Sequence, residues 1–132
     1  MATPEQNVVE HLYLTAGNLG LPGAPILNLA VLYNSADGAL SGEALIAQAI
    51  APPNGRVVIR PVSGQAHGLG LQHYTRAFTL SGEYTVSVPP PAIGTYLAKF
   101  TATFVTDNDW TGRGTFTYGD QTVKDVPIKK RG

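Results

Sequence analysis

The sequence predicts an all-β chain, a single antiparallel β-sandwich of about eight or nine strands. Three observations carry this. Fifteen glycines and ten prolines cut the chain into short runs rich in Val, Ile, Leu, Thr, Tyr and Phe, as strands between turns read. Residues 96–106 place Tyr96, Ala98, Phe100, Ala102 and Phe104 on one parity and Lys99, Thr101 and Thr103 on the other. That is the two-residue period of a half-buried strand. A short unit also recurs: Leu40-Ser41-Gly42-Glu43, then Leu80-Ser81-Gly82-Glu83, and more loosely Trp110-Thr111-Gly112-Arg113.

The elements follow in order. Residues 8–15 read as a first strand. Residues 16–25 (AGNLGLPGAP) read as a loop, because their glycines and prolines cannot sustain a ladder. A second strand over 26–33 closes in a turn at 34–38. Further strands are expected over 56–59, around 71–75 and over 77–88, where Pro89-Pro90-Pro91 enforces an extended break. After the strand at 96–106, residues 110–118 and 121–128 form a hairpin across Gly119-Asp120, a glycine-first two-residue turn.

Residues 39–50 (ALSGEALIAQAI) contain good helix formers behind Ser41, a passable N-cap. The recurring unit decides for a strand. Six residues after each opening apolar residue stands another, at Ile46, Val86 and Phe116. In an extended chain the opening residue, the glycine and the closing residue face the same way. The glycine then lies between two inward anchors, where a neighbour's bulk or a bulge needs room.

The 132 residues suit one domain over 1–132, with a core over 7–128 and a basic tail over 129–132. Nine basic side chains balance nine acidic ones, and charged residues are only 14% of the chain. The neutral balance argues against nucleic acid, which binds mainly through basic surface. It also leaves little repulsion between copies. Cysteine is absent, which removes disulfides, thiolate chemistry and Cys-type zinc sites. Residues 1–10 have neither a basic start nor an apolar run, so no secretory signal is read; synthesis is expected in the cytoplasm, with a non-classical export route left open. No run approaches the ~18 apolar residues of a helical membrane span.

Candidate chemistry is sparse. His11, His67 and His73 lack the HxH or HxxxH spacing that gathers zinc ligands. Ser41, Ser63 and Ser81 each precede glycine outside any G-x-S-x-G elbow. The glycines of the LGLPGAP loop precede a strand, whereas a phosphate cradle needs a helix behind it. No catalytic residue, cofactor or metal site is therefore expected. Asp107, Asn108 and Asp109 cluster oxygen side chains before Trp110. Such a loop can hold calcium and offer an aromatic platform to a sugar. The same residues are ordinary turn chemistry, and Trp110 shares its parity with Phe116 and Tyr118, as a core anchor would. Lys129-Lys130-Arg131 reads as a solvated terminus, with no interleaved aromatics to stack on bases.

Several fragments together resemble a bacterial family known only as a domain of unknown function. They are Leu21-Pro22-Gly23-Ala24-Pro25 leading to Leu27 and Leu29, Ser41-Gly42 running to Gln48 and Pro52-Pro53, Asp109-Trp110 with Gly112, and Val126-Pro127. The resemblance spans about residues 12–128 and implies a small β-sandwich protein. It brings no activity or binding residue with it. From the residues themselves, the expectation is a non-enzymatic structural or interaction module that self-assembles, as a fibre, shell or inclusion subunit does. Low charge density and sheet edges only partly guarded by proline motivate it. A lectin-like module using Asp107, Asn108, Asp109 and Trp110 on carbohydrate is the alternative.

Overall fold

The computed structural model describes residues 9–48, 55–70, 74–88 and 91–131. Among them the regular elements are strands: β1 (Val9–Ala16), β2 (Ile26–Asn34), β3 (Ala39–Ala47), β4 (Arg56–Gly68), β5 (Arg76–Ser87), β6 (Thr95–Thr106), β7 (Gly112–Tyr118) and β8 (Gln121–Lys130). Each pairs antiparallel with the next, and β8 returns to β1, so the sheet closes into an eight-stranded meander barrel. The expected sandwich is thus corrected to a barrel. Both architectures bury one face of every strand and share the same alternation. The seam that separates them is short: Leu14 pairs with Lys130, Thr15 with Lys129 and Ala16 with Ile128. Residues that read as a basic tail therefore supply the closing rungs.

The alternation places the core. In β6, Ala98, Phe100, Ala102 and Phe104 are buried while Lys99, Thr101 and Thr103 face solvent. Phe78, Phe100, Phe104 and Phe116 meet Leu12, Leu14, Leu27, Leu29, Ile46, Ile59, Val62 and Ile128, all essentially sealed from water. Each such side chain contributes roughly 1.5–3 kcal/mol by leaving water. They fill the interior, as an eight-stranded barrel of this kind permits. Apolar residues point in and Ser, Thr, Lys and Glu point out, the reverse of a lipid-facing barrel. Among the described residues no helix is long and apolar enough to cross a membrane.

Residues 39–47 form a strand, as the recurring unit predicts over helix propensity. Leu40 and Ile46 are buried and Gly42 lies between them. A Cβ on Gly42 would overlap the Ala30 carbonyl oxygen of β2; one on Gly112 would overlap that of Val105 in β6. The glycines let neighbouring backbones close in where the sheet curls, a demand sharper in a barrel than in a flat sheet. Strand β4 runs well past 56–59, through Pro61 and Gly64 to Gly68. Arg60 and Pro61 form a bulge opposite Glu43, since Gly42 pairs with Val62 and Ala44 with Ile59. Arg60 Nε holds Glu43 Oε2 at 2.8 Å across it. Proline is tolerated at such a bulge. Of the strand expected around 71–75, residues 71–73 lie outside the described residues, and Tyr74 and Thr75 are not in a strand. The hairpin turn at Gly119-Asp120 stands: Tyr118 pairs with Gln121 and Gly119 has φ 61°.

Candidate functional site

The loop 107–111 connects β6 to β7 at one rim of the barrel. Asp107 folds it onto itself: Oδ1 accepts from the amides of Asp109 (2.8 Å) and Thr111 (3.1 Å). The Asp107 amide donates to the Thr111 carbonyl and the Trp110 amide to the Asp107 carbonyl. Asn108 Oδ1 accepts from Thr75 Oγ1 at 2.7 Å. These bonds leave Trp110 with φ 63°, a left-handed conformation uncommon for a bulky residue, and turn its indole inward. Trp110 is 3% exposed. It meets Tyr33 edge-on (ring centroids 5.0 Å apart) and Phe78 (5.5 Å), while the Arg76 guanidinium lies 3.9 Å over its ring. The indole plugs this end of the barrel and presents no open face on which a sugar could stack. The residue stands in the turn ahead of β7, whereas its parity alone reads as strand.

Two buried polar atoms accompany the plug. Arg76 Nη1 and Thr106 Oγ1, on residues paired across β5 and β6, have no hydrogen-bond partner among the described residues. The cation–π contact gives the guanidinium its favourable surroundings there. Among the described residues, no three His, Cys, Asp or Glu side chains converge as metal ligands. His11 and His67 sit exposed on β1 and β4, and His73 lies outside the described residues.

The other rim is built differently. The β4–β5 ladder ends at Val62–Gly82 and the β6–β7 ladder at Phe100–Tyr118. Residues 83–87 and 95–99 nevertheless continue to pair with each other. They form a two-stranded arm that overhangs the barrel. Beside it, where β4 leaves β5 after the Pro61 bulge, opens a cleft of about 900 Å³ lined by Val58, Arg60, Glu83, Thr85, Leu97 and Lys99, among others. The arm and its tip carry exposed apolar side chains, with Ile93 at 97%, Leu97 at 63% and Tyr96 at 57%. Tyr84 anchors the arm's inner face on the core, its phenol reaching the β7–β8 turn at Gly119. Burial, then the nearby Tyr118, Tyr96 and Asp120, holds that phenol's pKa above its usual value.

Two hydrogen bonds fix which backbone groups of the arm are satisfied. Val88 N–H donates to Gly94 O, and Gly119 N–H donates to Lys99 O. Because alternate residues of an antiparallel strand address alternate sides, Tyr84 and Val86 bond to β6. Glu83, Thr85 and Ser87 aim their N–H and C=O groups away from it, toward the cleft. Sequence reasoning missed this feature. The signal was the even run of strand residues on both sides of the prolines, longer than the barrel needs.

The family described as a domain of unknown function, DUF1842, matches residues 11–123. The chain belongs to that family. The match takes in all of β2 to β7 and the overhanging arm. No curated protein matches the chain. Pro52-Pro53 lie outside the described residues; the other segments that carried the resemblance in the sequence have structural roles in this DUF1842 barrel. Gln48 Nε2 donates to Gly23 O (3.0 Å) and ties the LPGAP loop to the end of β3. Gly42 and Gly112 admit neighbouring backbones, Trp110 plugs one rim, Val126 is buried, and Pro127 O accepts the Gly17 amide beside the closing seam.

Proposed function

We propose that this DUF1842 chain is a non-enzymatic interaction module that self-associates through the rim bearing the β5–β6 arm. The observation that carries the reading is the arm itself: a paired ribbon extending past both flanking ladders, with a β5 edge that pairs with no strand among the described residues and exposed apolar residues in one place. Unpaired edges template further strands; the closing seam pairs only residues 14–16 with 128–130 and so leaves edges on β1 and β8 as well, but the tip of the arm carries Ile93, the most exposed large apolar side chain among the described residues. Formal neutrality leaves copies free to approach. The expectation of assembly from sheet edges in general thus narrows to one rim. Whether pairs grow into a fibre, shell or inclusion depends on a second contact surface.

The lectin-like alternative has less support. The Asp107 carboxylate is engaged by its own loop's amides and the Trp110 ring is inside. Carbohydrate would have to meet Asn108 and Asp109 without an aromatic platform. Sedimentation equilibrium over a hundredfold range of protein concentration tests the proposal. A reversible, concentration-dependent rise above 13.9 kDa is expected; a single monomeric mass at every concentration would refute it.

A further inference from the structure

From the edge geometry we infer that the partner is a second copy of this chain, joined by two-fold antiparallel pairing of the β5 edges of the two arms, centred on Thr85. This deepens, and rests on, the self-association reading above. The β5 edge is the better candidate of the arm's two. On β6 the outward row is already interrupted, because Lys99 O accepts the Gly119 amide. On β5 the outward groups of Glu83, Thr85 and Ser87 face the cleft, beyond the last β4–β5 rung at Val62–Gly82.

The edge sequence is complementary to itself about that centre. An isologous contact sets residue i against j and j against i, so Thr85 faces the partner's Thr85, Glu83 the partner's Ser87, and Tyr84 the partner's Val86. The first pair matches threonines, the second sets a carboxylate beside a hydroxyl, and the third joins an aromatic to a β-branched residue, all favourable across strands. Like charges stay apart. The two Glu83 side chains stand four residues from each other along the ribbon, roughly 13–14 Å at the rise of an antiparallel strand, beyond the ~8 Å screening length in physiological salt. Within each copy Lys99 lies directly across from Glu83 on β6. A centre one residue away, on Tyr84, would bond each Glu83 to a Thr85 and bring tyrosine onto tyrosine in the closer, non-hydrogen-bonded row. That register would also set Ser87 against Ser81, already paired with Ser63 of β4, whereas the centre on Thr85 engages Glu83, Thr85 and Ser87 of both copies, which selects Thr85. The bond count is also symmetric: each copy gives and receives the same N–H···O=C contacts, leaving a four-stranded ribbon, β6–β5–β5–β6. Leu97, opposite Thr85 and 63% exposed, lies on the ribbon face that both copies share.

The experiment uses the full chain and two substitutions. Thr85→Pro deletes the central outward N–H while removing no bond of the barrel, since that group makes none within the ladder. Thr85→Cys supplies a thiol in a chain that has no other. At a hydrogen-bonded pair the two Cα atoms stand about 5.5 Å apart, inside the 4.4–6.8 Å range that a disulfide spans. Circular dichroism first establishes that both variants keep the parent spectrum. The inference predicts at least a tenfold weaker dimer for Thr85→Pro. It also predicts that Thr85→Cys is converted mostly to covalent dimer under mild oxidation, with Thr122→Cys on the outer face of β8 remaining mostly monomeric. A dimer that persists in Thr85→Pro, with no cross-linking of Thr85→Cys above the Thr122→Cys control, would overturn the Thr85-centred contact and leave self-association by another surface. A parent protein monomeric at all concentrations would overturn both readings.

Discussion

Gly112→Ala is expected to be among the most damaging single-methyl additions this barrel can receive. The new Cβ would overlap the Val105 carbonyl oxygen and lie 2.7 Å from Thr106 Cα on the neighbouring strand. Carbon atoms in contact sit about 3.5–4.0 Å apart, so β6 and β7 would have to separate by roughly 1 Å at a point where Gly112 also pairs with Ile128 of β8. No side-chain rotation relieves the clash, because the atoms it meets are backbone. Overpacking a core commonly costs about 1–3 kcal/mol. Here the strained ladder lies beside the Trp110 plug, and a loss at or above the top of that range is expected. The control is Gly20→Ala, where a Cβ meets nothing within 4 Å and ordinary backbone entropy predicts a change within about 1 kcal/mol. Urea unfolding followed through the single tryptophan reads both. Equal midpoints for Gly112→Ala and the parent would refute the close approach of β6 and β7, and with it the reason a glycine stands in the third copy of the recurring unit.

The remaining predictions concern the plugged rim and the β8 bulge. Trp110 is enclosed by Tyr33, Phe78 and Arg76, so native fluorescence should resist iodide quenching and become quenchable only on unfolding. Trp110→Ala should cost about 3–5 kcal/mol in urea unfolding followed by circular dichroism, since the variant has no tryptophan to read, and native quenching in the parent as strong as denatured would place the ring outside. At the bulge, Arg113 donates to Asp125 Oδ1 at 2.7 Å and to its carbonyl, and the carboxyl is held below its ordinary value, first by that hydrogen bond and then by the guanidinium charge. A carboxyl lowered on folding contributes stability that is present above its unfolded pKa and is lost as pH falls through the folded value. Asp125→Asn should therefore leave the melting temperature almost unchanged at neutral pH, since the pair is exposed. It should flatten the decline below about pH 4; an identical acid slope in parent and variant would contradict the assignment.

Much of the fold was legible because the pleat leaves a direct trace in the chain. The alternation through Ala98, Phe100, Ala102 and Phe104 fixed both the strand and its inward face, and the repeated Leu-Ser-Gly-Glu overrode the helical propensity of residues 43–48. Closure left no such trace. A sandwich and a barrel ask the same alternation of each strand, and they part company at three rungs between residues 14–16 and 128–130, two of them made by lysines that read as tail. Pro61 hid the length of β4, because a proline normally ends a ladder and the bulge opposite Glu43 that accommodates it depends on the partner strand. The 107–110 cluster was visible as oxygen-rich chemistry, yet the inward turn of Trp110 follows from a left-handed backbone that the one-letter pattern does not encode. The arm was hidden for the opposite reason: its residues look like any strand, and its meaning lies in the ladders that stop beside it.

Amide hydrogen exchange on the parent protein, in dilute and in concentrated solution, tests the central claim most directly. In dilute solution Tyr84 and Val86, bonded to β6, should exchange slowly while Glu83, Thr85 and Ser87 exchange fast. On concentration those three alone within the arm should become slow. Uniform protection of residues 83–87 in dilute solution, or rates at Thr85 that ignore protein concentration, would contradict an overhanging arm with an open β5 edge that a second copy fills.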